Sequence, residues 1–253
     1  MRVKGLLGGL AAWVLLLGLS GAASAASFTE TFELTLSTDL MMDPNGLSAC
    51  AIFTLDTENP TELRIELINT SSGVPAGFSN SDQLLTGISF DFGEPGYNGD
   101  PAITGGTVVI GPGGRSIDFD KVDLQLGPGA DVSGEWGYGN TDGSGLLTNF
   151  VSANQAQSVP FGGPNLDGPD GMDGPQGGLC ADPPIVELGG LGAVADSVVI
   201  VLTLDAPLAD LEFLYQNGVR AEFGSDAAFM VPEPVTVGLL AVGACLLLLR
   251  RRR

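Results

Sequence analysis

The sequence of 253 residues predicts an all-β fold, arranged as an antiparallel β-sandwich or jelly roll. Two observations support this prediction. Short segments alternate between apolar and polar residues, which is the pattern of half-buried strands. Gly, Pro, Asn and Asp turn signals separate these segments about every ten residues, as in two-sheet β folds. No stretch between residues 27 and 183 has a convincing helical period over a dozen residues.

Six segments of the amino-terminal half fit the strand pattern. The first, Phe28–Ser37, places its apolar side chains at even spacings, so that they share one face of a strand. A polar loop at residues 70–82 and several Gly- and Pro-containing turns separate the segments. The predicted strands are Phe28–Ser37, Leu47–Leu55, Glu62–Asn69, Leu84–Phe92, Gly106–Ile110 and Ser116–Leu126.

The core pattern returns after residue 183. Ser197–Leu204 is an almost unbroken apolar run, typical of a strand buried on both faces. Leu208–Tyr215 alternates and predicts a further strand, and Asn217-Gly218 predicts a hairpin turn into a return strand at Val219–Phe223. We therefore expect the ectodomain to span residues 26–223 and residues 224–231 to form a short tether.

The amino terminus has the three parts of a secretory signal peptide. Arg2 and Lys4 form a basic region, and an apolar stretch follows. Ala23 and Ala25 flank Ser24 in a small-residue cleavage site, so cleavage after Ala25 is expected, with cleavage after Ala26 as the alternative. Residues 1–25 are therefore predicted to be removed.

The carboxyl terminus has three parts as well. Val231-Pro232-Glu233-Pro234 is extended, because proline disfavours helix in the residue before it. Residues 235–249 carry no charge and predict a short transmembrane helix of about 22 Å, less than the roughly 30 Å of a bilayer core. Four arginines follow, Arg250, Arg251, Arg252 and Arg253, and they place the end of the chain on the cytoplasmic side.

The order of these parts in residues 232–253 resembles the PEP-CTERM sorting signal of bacterial exported proteins. The resemblance implies processing by exosortase, a membrane-embedded cysteine transpeptidase-like enzyme, after signal peptidase has acted. It also implies transient anchoring in the inner membrane, release or transfer to the cell surface, and a bacterium that makes extracellular polysaccharide. The implied recognition residues are Pro232, Glu233, Pro234 and the four arginines.

Charge limits the partners of the exported part. Residues 26–231 hold four basic and 29 acidic residues, a formal charge of −25. Such a surface repels nucleic acid and attracts cations. Two interpretations stay open: the charge keeps the protein soluble outside the cell, or some of the acidic residues bind calcium. Calcium is the one cofactor that the sequence suggests.

Residues 127–183 are rich in Gly, Pro, Asn and Asp and predict loops. Trp136 lies among glycines there, either as an exposed ring that contacts carbohydrate or as a core residue. Asp167, Asp170 and Asp173 recur every third residue in a Gly-rich stretch. An extended backbone would separate them too far for one calcium ion unless the loop folds back, and the EF-hand spacing is absent.

Cysteine and histidine usage restrict the chemistry. Cys50 and Cys180 lie in the exported part, where an oxidising compartment permits a disulfide, with two buried thiols as the alternative. The chain has no histidine, which excludes Ser-His-Asp and Cys-His catalysis and His-based zinc sites. We therefore expect a non-catalytic surface or matrix protein associated with extracellular polysaccharide or biofilm. The alternative is a calcium- or carbohydrate-binding module at the cell surface.

Overall fold

The computed structural model describes residues 27–36, 46–74, 81–93, 100–119, 125–141, 146–154, 157–166, 174–225 and 228–232. The described residues confirm the predicted all-β class: they form fourteen strands and one short α-helix, α1 (Phe213–Asn217). The strands are β1 (Ser27–Leu36), β2 (Ser48–Asp56), β3 (Glu62–Asn69), β4 (Leu85–Phe90), β5 (Ile103–Ile110), β6 (Arg115–Ile117), β7 (Gly137–Gly139), β8 (Asn149–Ser152), β9 (Val159–Pro160), β10 (Leu179–Cys180), β11 (Ala193–Ala195), β12 (Ser197–Leu204), β13 (Val219–Phe223) and β14 (Ala228–Pro232).

Hydrogen bonding joins these strands into one sheet. Its main path runs β5-β12-β3-β2-β1-β14-β13-β4-β10-β11-β6, and β8 branches from β4 to pair with β7, which pairs with β9. Within the described part of the chain, β10 and β11 form the one parallel pair. Neighbours in this order are often distant in sequence, so the pairing depends on long-range contacts.

The alternation in β2 and β3 positions the core. In β2, Phe53 and Leu55 are buried with two alanines, while the residues between them are partly exposed. In β3, Leu63, Ile65 and Leu67 are buried in the same way. Complete burial of each such large apolar side chain contributes roughly 1.5–3 kcal/mol. These strands therefore turn one face toward a common core.

Aromatic contacts show that the sheet curls over this core. The rings of Phe53 on β2 and Phe90 on β4 meet edge to face, with centroids 5.7 Å apart. Three strands separate β2 from β4 in the sheet order, so the two rings could not touch across a flat sheet with strands about 4.8 Å apart. Phe92 and Phe213 extend the cluster, with centroids 4.9 Å apart.

The predicted strand Ser116–Leu126 is much shorter in the structure. It ends with β6 at Ile117, because Asp118 adopts a left-handed backbone conformation with φ of 54°. The Ser116 N–H donates to the Leu126 carbonyl oxygen at 2.9 Å, so the two ends of the predicted strand face each other. The prediction of one continuous strand is therefore wrong.

The predicted strand Leu208–Tyr215 is also wrong, since its last residues start α1. Leu214 in α1 is buried and Tyr215 is 58% exposed, which is the reverse of the strand alternation that would bury Tyr215. Gly218, with φ of 85°, follows the helix as its C-cap. It is not the turn of a hairpin, and β13 pairs with β4 and β14 instead.

Two further expectations change. Residues 224–231 were expected to be a tether, but β14 pairs with β13 on one side and β1 on the other. The segment 127–183, expected to form loops, contains four short strands, β7 to β10. No helix in the described part of the chain is long and apolar enough to cross a membrane. Residues 1–25 and 235–249, where the signal peptide and the transmembrane helix are expected, lie outside the described residues.

Candidate functional site

Of the residues in the predicted sorting signal, the structure describes Pro232 alone. Pro232 is the last residue of β14 and lies opposite Leu34 of β1. The other predicted processing residues lie outside the described part of the chain: Ala23, Ala25, Glu233, Pro234, Arg250, Arg251, Arg252 and Arg253. In the sequence, Glu233 and Pro234 lie between Pro232 and the predicted membrane segment at residues 235–249.

Trp136 lies inside the fold. Its side chain is 0% exposed and belongs to the main hydrophobic core, so its ring cannot contact a polysaccharide. Of the two alternatives, the core residue is confirmed and the exposed ring is wrong. A 3₁₀ turn at Ser133–Glu135 precedes Trp136, and β7 follows it. Its indole Nε1 has no hydrogen-bond partner in the described structure.

The aromatic residues nearer the surface are Tyr138 and Phe161. Both are half-buried, and their rings stack with centroids 5.2 Å apart and planes 30° apart. The Tyr138 hydroxyl donates to the Thr104 carbonyl oxygen at 2.9 Å, which ties β7 to β5. Tyr138 belongs to the same Gly-rich motif as Trp136, whereas no sequence signal brings Phe161 to it.

The predicted calcium ligands Asp167, Asp170 and Asp173 lie outside the described residues, but the chain on both sides of them is described. On one side, the Leu166 N–H donates to Glu135 Oε1 at 2.5 Å. On the other side, Gly177 packs so closely that an added Cβ would lie 2.6 Å from the Cβ of Glu135. The chain therefore enters and leaves residues 167–173 beside a single carboxylate that is 1% exposed.

Glu135 was not singled out by the sequence. It becomes visible only when Leu166 and Gly177, 31 residues and 42 residues further along the chain, meet on it. The described residues on the two sides of 167–173 thus lie beside the same side chain. Among the described residues, no group of three or more His, Cys, Asp or Glu side chains could hold a metal ion.

A surface groove follows β6 and the segment 184–190. It consists of two adjoining cavities of about 500 and 600 Å³, which share Ile117, Asp118 and Pro184 in their walls. Arg115 in one wall forms an ion pair with Asp182. This hydrogen bond raises the pKa of the Arg115 guanidinium, so the group stays charged. Both partners are partly exposed, and a pair of this kind contributes little to stability.

The two cysteines carry thiols, and the candidate Cys50–Cys180 disulfide is not formed. Cys50 lies on the partly exposed face of β2, between the buried residues Ala49 and Ala51. Cys180 is fully buried in a second small core with Leu84 and Leu188. Burial raises the pKa of the Cys180 thiol to about 12. It is therefore protonated at neutral pH and a poor nucleophile.

Buried polar side chains near these residues bond to the backbone. The Asn69 amide donates to the carbonyl oxygens of Gln83, at 3.0 Å, and Leu179, at 2.8 Å, and so joins β3 to β10. The Thr86 hydroxyl donates to the Gly224 carbonyl oxygen at 2.7 Å. These bonds satisfy groups that are costly to bury alone. Their role is to hold the sheet together.

No protein-family model matches this chain, and the searches of curated proteins and of solved structures found no match either.

Proposed function

We propose that this chain is an exported, exosortase-processed and non-catalytic protein of the bacterial surface or extracellular matrix, associated with extracellular polysaccharide or biofilm. The main observation in support of this proposal is the order of three features in residues 232–253: Pro-Glu-Pro, an uncharged segment and an arginine cluster. Signal peptidase would remove residues 1–25, and exosortase would act at the motif.

The exported domain in this proposal is a β-sandwich or jelly roll. The edge-to-face contact between Phe53 and Phe90 supports it, since this contact brings two remote parts of the curled sheet against each other. A sandwich exposes mostly loops and outer strand faces. In this chain those surfaces are acidic, which favours solubility in a hydrated matrix.

The non-catalytic part of the proposal follows from side-chain chemistry. The chain has no histidine, and the Cys180 thiol is buried and protonated at neutral pH. Arg115 in the surface groove is paired with Asp182 rather than directed at a free anion site. Buried polar groups such as Asn69 and Thr86 are bonded to the backbone. These residues have structural roles, and none of them forms a pair of catalytic groups with another.

Intact mass of the protein purified from its own cells tests the sorting proposal. We expect a chain that begins at Ala26 or Ser27 and lacks the uncharged segment and the arginines. Replacing Glu233 and Pro234 by alanine should leave the tail attached, because the recognition motif is lost. Glu58→Ala, an exposed change in the turn after β2, is the control and should be processed normally. A wild-type chain that still ends at Arg253 contradicts the proposal.

Calcium binding is the second candidate function, and the convergence of Leu166 and Gly177 on Glu135 favours it. Asp167, Asp170 and Asp173 would supply carboxylates from the segment between them. A ligand that binds only the folded state raises stability, by about 2.7 kcal/mol at a hundred times its Kd. We expect the melting temperature to rise in millimolar calcium and to fall back with chelator, and the Asp170→Asn variant to respond less. An unchanged melting temperature in calcium rules this function out.

A further inference from the structure

The sheet holds β14 from both sides. Residues 34–36 of β1 lie opposite residues 230–232. On the other side, β13 pairs with residues 228–230, so Met230 has a partner strand on each side. Neighbouring strands lie only about 4.8 Å apart, and backbone groups that bond to them cannot bond to an enzyme at the same time. The sheet therefore occupies the residues that directly precede Glu233.

Hydrogen bonds on the far side of β2 show which residue of β1 bonds to β14. The Ser48 carbonyl oxygen accepts from the Thr70 N–H at 3.0 Å, and the Ser48 N–H donates to Ser71 Oγ at 3.0 Å. Both backbone groups of Ser48 therefore point away from β1. Thr35 is the register partner of Ser48. In such a non-hydrogen-bonded antiparallel pair both residues direct their backbone groups outward, so those of Thr35 point to Val231 of β14.

The same alternation explains how Pro232 fits into this strand. Pro232 follows Val231 and forms a non-hydrogen-bonded pair with Leu34, so its nitrogen points away from β1. The described pairing of β13 with β14 covers residues 228–230 and does not include Pro232. Proline has no N–H and is restricted to positions of this kind in sheets. The first residue of the sorting motif can therefore belong to the sheet without the loss of a hydrogen bond.

We propose that local opening of β14 limits the rate at which exosortase removes the tail, a regulation that rests on the proposed function. A cut at the motif requires the residues before the broken bond to be unpaired, so β14 must leave both neighbours. When opening is fast relative to cleavage, proteolysis follows the fraction of molecules in which the segment is open. Breaking the peptide bond passes its acyl carbon to water or to an acceptor amine, and the tail leaves with a free amino group. Pairing of residues 228–232 thus slows this step.

A cross-link between β1 and β14 tests the proposal in the protein's own cells. Leu36 and Met230 lie opposite each other as a non-hydrogen-bonded pair, a geometry with Cα atoms about 4.5 Å apart, which a disulfide can bridge. In the double variant Leu36→Cys, Met230→Cys, pulse-chase labelling should show tail removal at least about tenfold slower with the disulfide formed than after reduction by dithiothreitol. The wild type should have one rate under both conditions. A cross-linked chain that is processed as fast as the reduced one overturns the proposal.

Thr35→Pro tests the opposite direction, because it removes the N–H that points to Val231 and leaves the motif intact. Loss of one backbone hydrogen bond should raise the open fraction, and with it the processing rate, at least about twofold. Gly106→Ala is the control, since an added Cβ there would overlap the Val201 carbonyl oxygen and destabilise β5, which four strands separate from β14. It should be processed near the wild-type rate. Equal acceleration by Gly106→Ala overturns the proposal, because global unfolding would then expose the motif.

The two proposals fail in different ways. A wild-type tail that is never removed contradicts the proposed function, and opening of β14 then regulates no processing step. A wild-type tail that is removed, at a rate that neither the cross-link nor Thr35→Pro changes, leaves the proposed function standing and contradicts only the regulation by β14.

Discussion

Gly105 and Gly106 are adjacent residues of β5 with opposite surroundings. A Cβ added at Gly105 would have no atom within 4 Å. A Cβ added at Gly106 would overlap the carbonyl oxygen of Val201 on β12 and approach Cε1 of Phe161 to 2.9 Å. Backbone cannot move aside as a flexible side chain can. Gly106 is thus required by packing, whereas Gly105 is not.

This contrast predicts different outcomes for two alanine substitutions. Gly106→Ala should lower the free energy of unfolding by about 1–3 kcal/mol, as other overpacked sites do. Gly105→Ala should change it little or raise it by up to about 1 kcal/mol, because alanine restricts the unfolded chain. Urea unfolding of both variants beside the wild type measures the difference. Equal stabilities would contradict the close approach of β12 to Gly106.

At the same scale, the candidate site residues were only partly predictable. The sequence left Trp136 open between an exposed ring and a core residue, and the structure places it in the core. The sequence also left the state of Cys50 and Cys180 open, and in the structure both are thiols. Glu135 carries no motif at all. Each outcome depends on which distant residues pack nearby.

At the scale of elements, α1 shows how one sequence can fit two periods. Residues 208–215 place Leu211, Phe213 and Tyr215 at a spacing of two, which predicts a strand. The same stretch places Leu208, Leu211 and Leu214 at a spacing of three, and these are the residues that the structure buries. When a short segment carries both patterns, its secondary structure depends on the surface against which it packs. β1, β2, β3, β4, β12 and β13 were predicted with bounds within two residues of those observed, whereas β7 to β11 and β14 were not predicted.

The two interpretations of this segment predict opposite results for neighbouring residues. With the observed helix, Leu214→Ala should cost about 2–5 kcal/mol, the range for a leucine lost from a core. Tyr215→Ala should change stability by no more than about 0.5 kcal/mol, because the ring is largely exposed. A strand would reverse this order. Thermal or urea unfolding of the two variants distinguishes the helix from the strand.

At the scale of the whole molecule, β14 connects parts of the sheet that are remote in sequence. It lies between β1, near the start of the described chain, and β13, near its end. The segment had been expected to be a tether because it lies directly before the sorting motif. Sheet pairing takes up residues 228–232 instead, so this part of the segment belongs to the domain.

Two truncated chains test this role of β14. A chain ending at Pro232 should unfold cooperatively, with a melting temperature close to that of the full chain. A chain ending at Ser225 should be less stable and more prone to aggregate, because it leaves facing edges of β1 and β13 unpaired. Melting curves and size-exclusion profiles compare the two. Equal behaviour of both chains would show that residues 226–232 are a tether after all.

The sequence by itself determined the fold class, the positions of most of the longer strands and the expected route of the protein, because alternation, turn residues and terminal signals are local properties. β3 and β12 were predicted with the bounds that the structure has. Only the tertiary structure decided the burial of Trp136, the helix at Phe213–Asn217, the convergence of a loop on Glu135 and the pairing of β14 with β1. These features depend on contacts between residues far apart in the chain, and a local pattern carries no information about its distant partner.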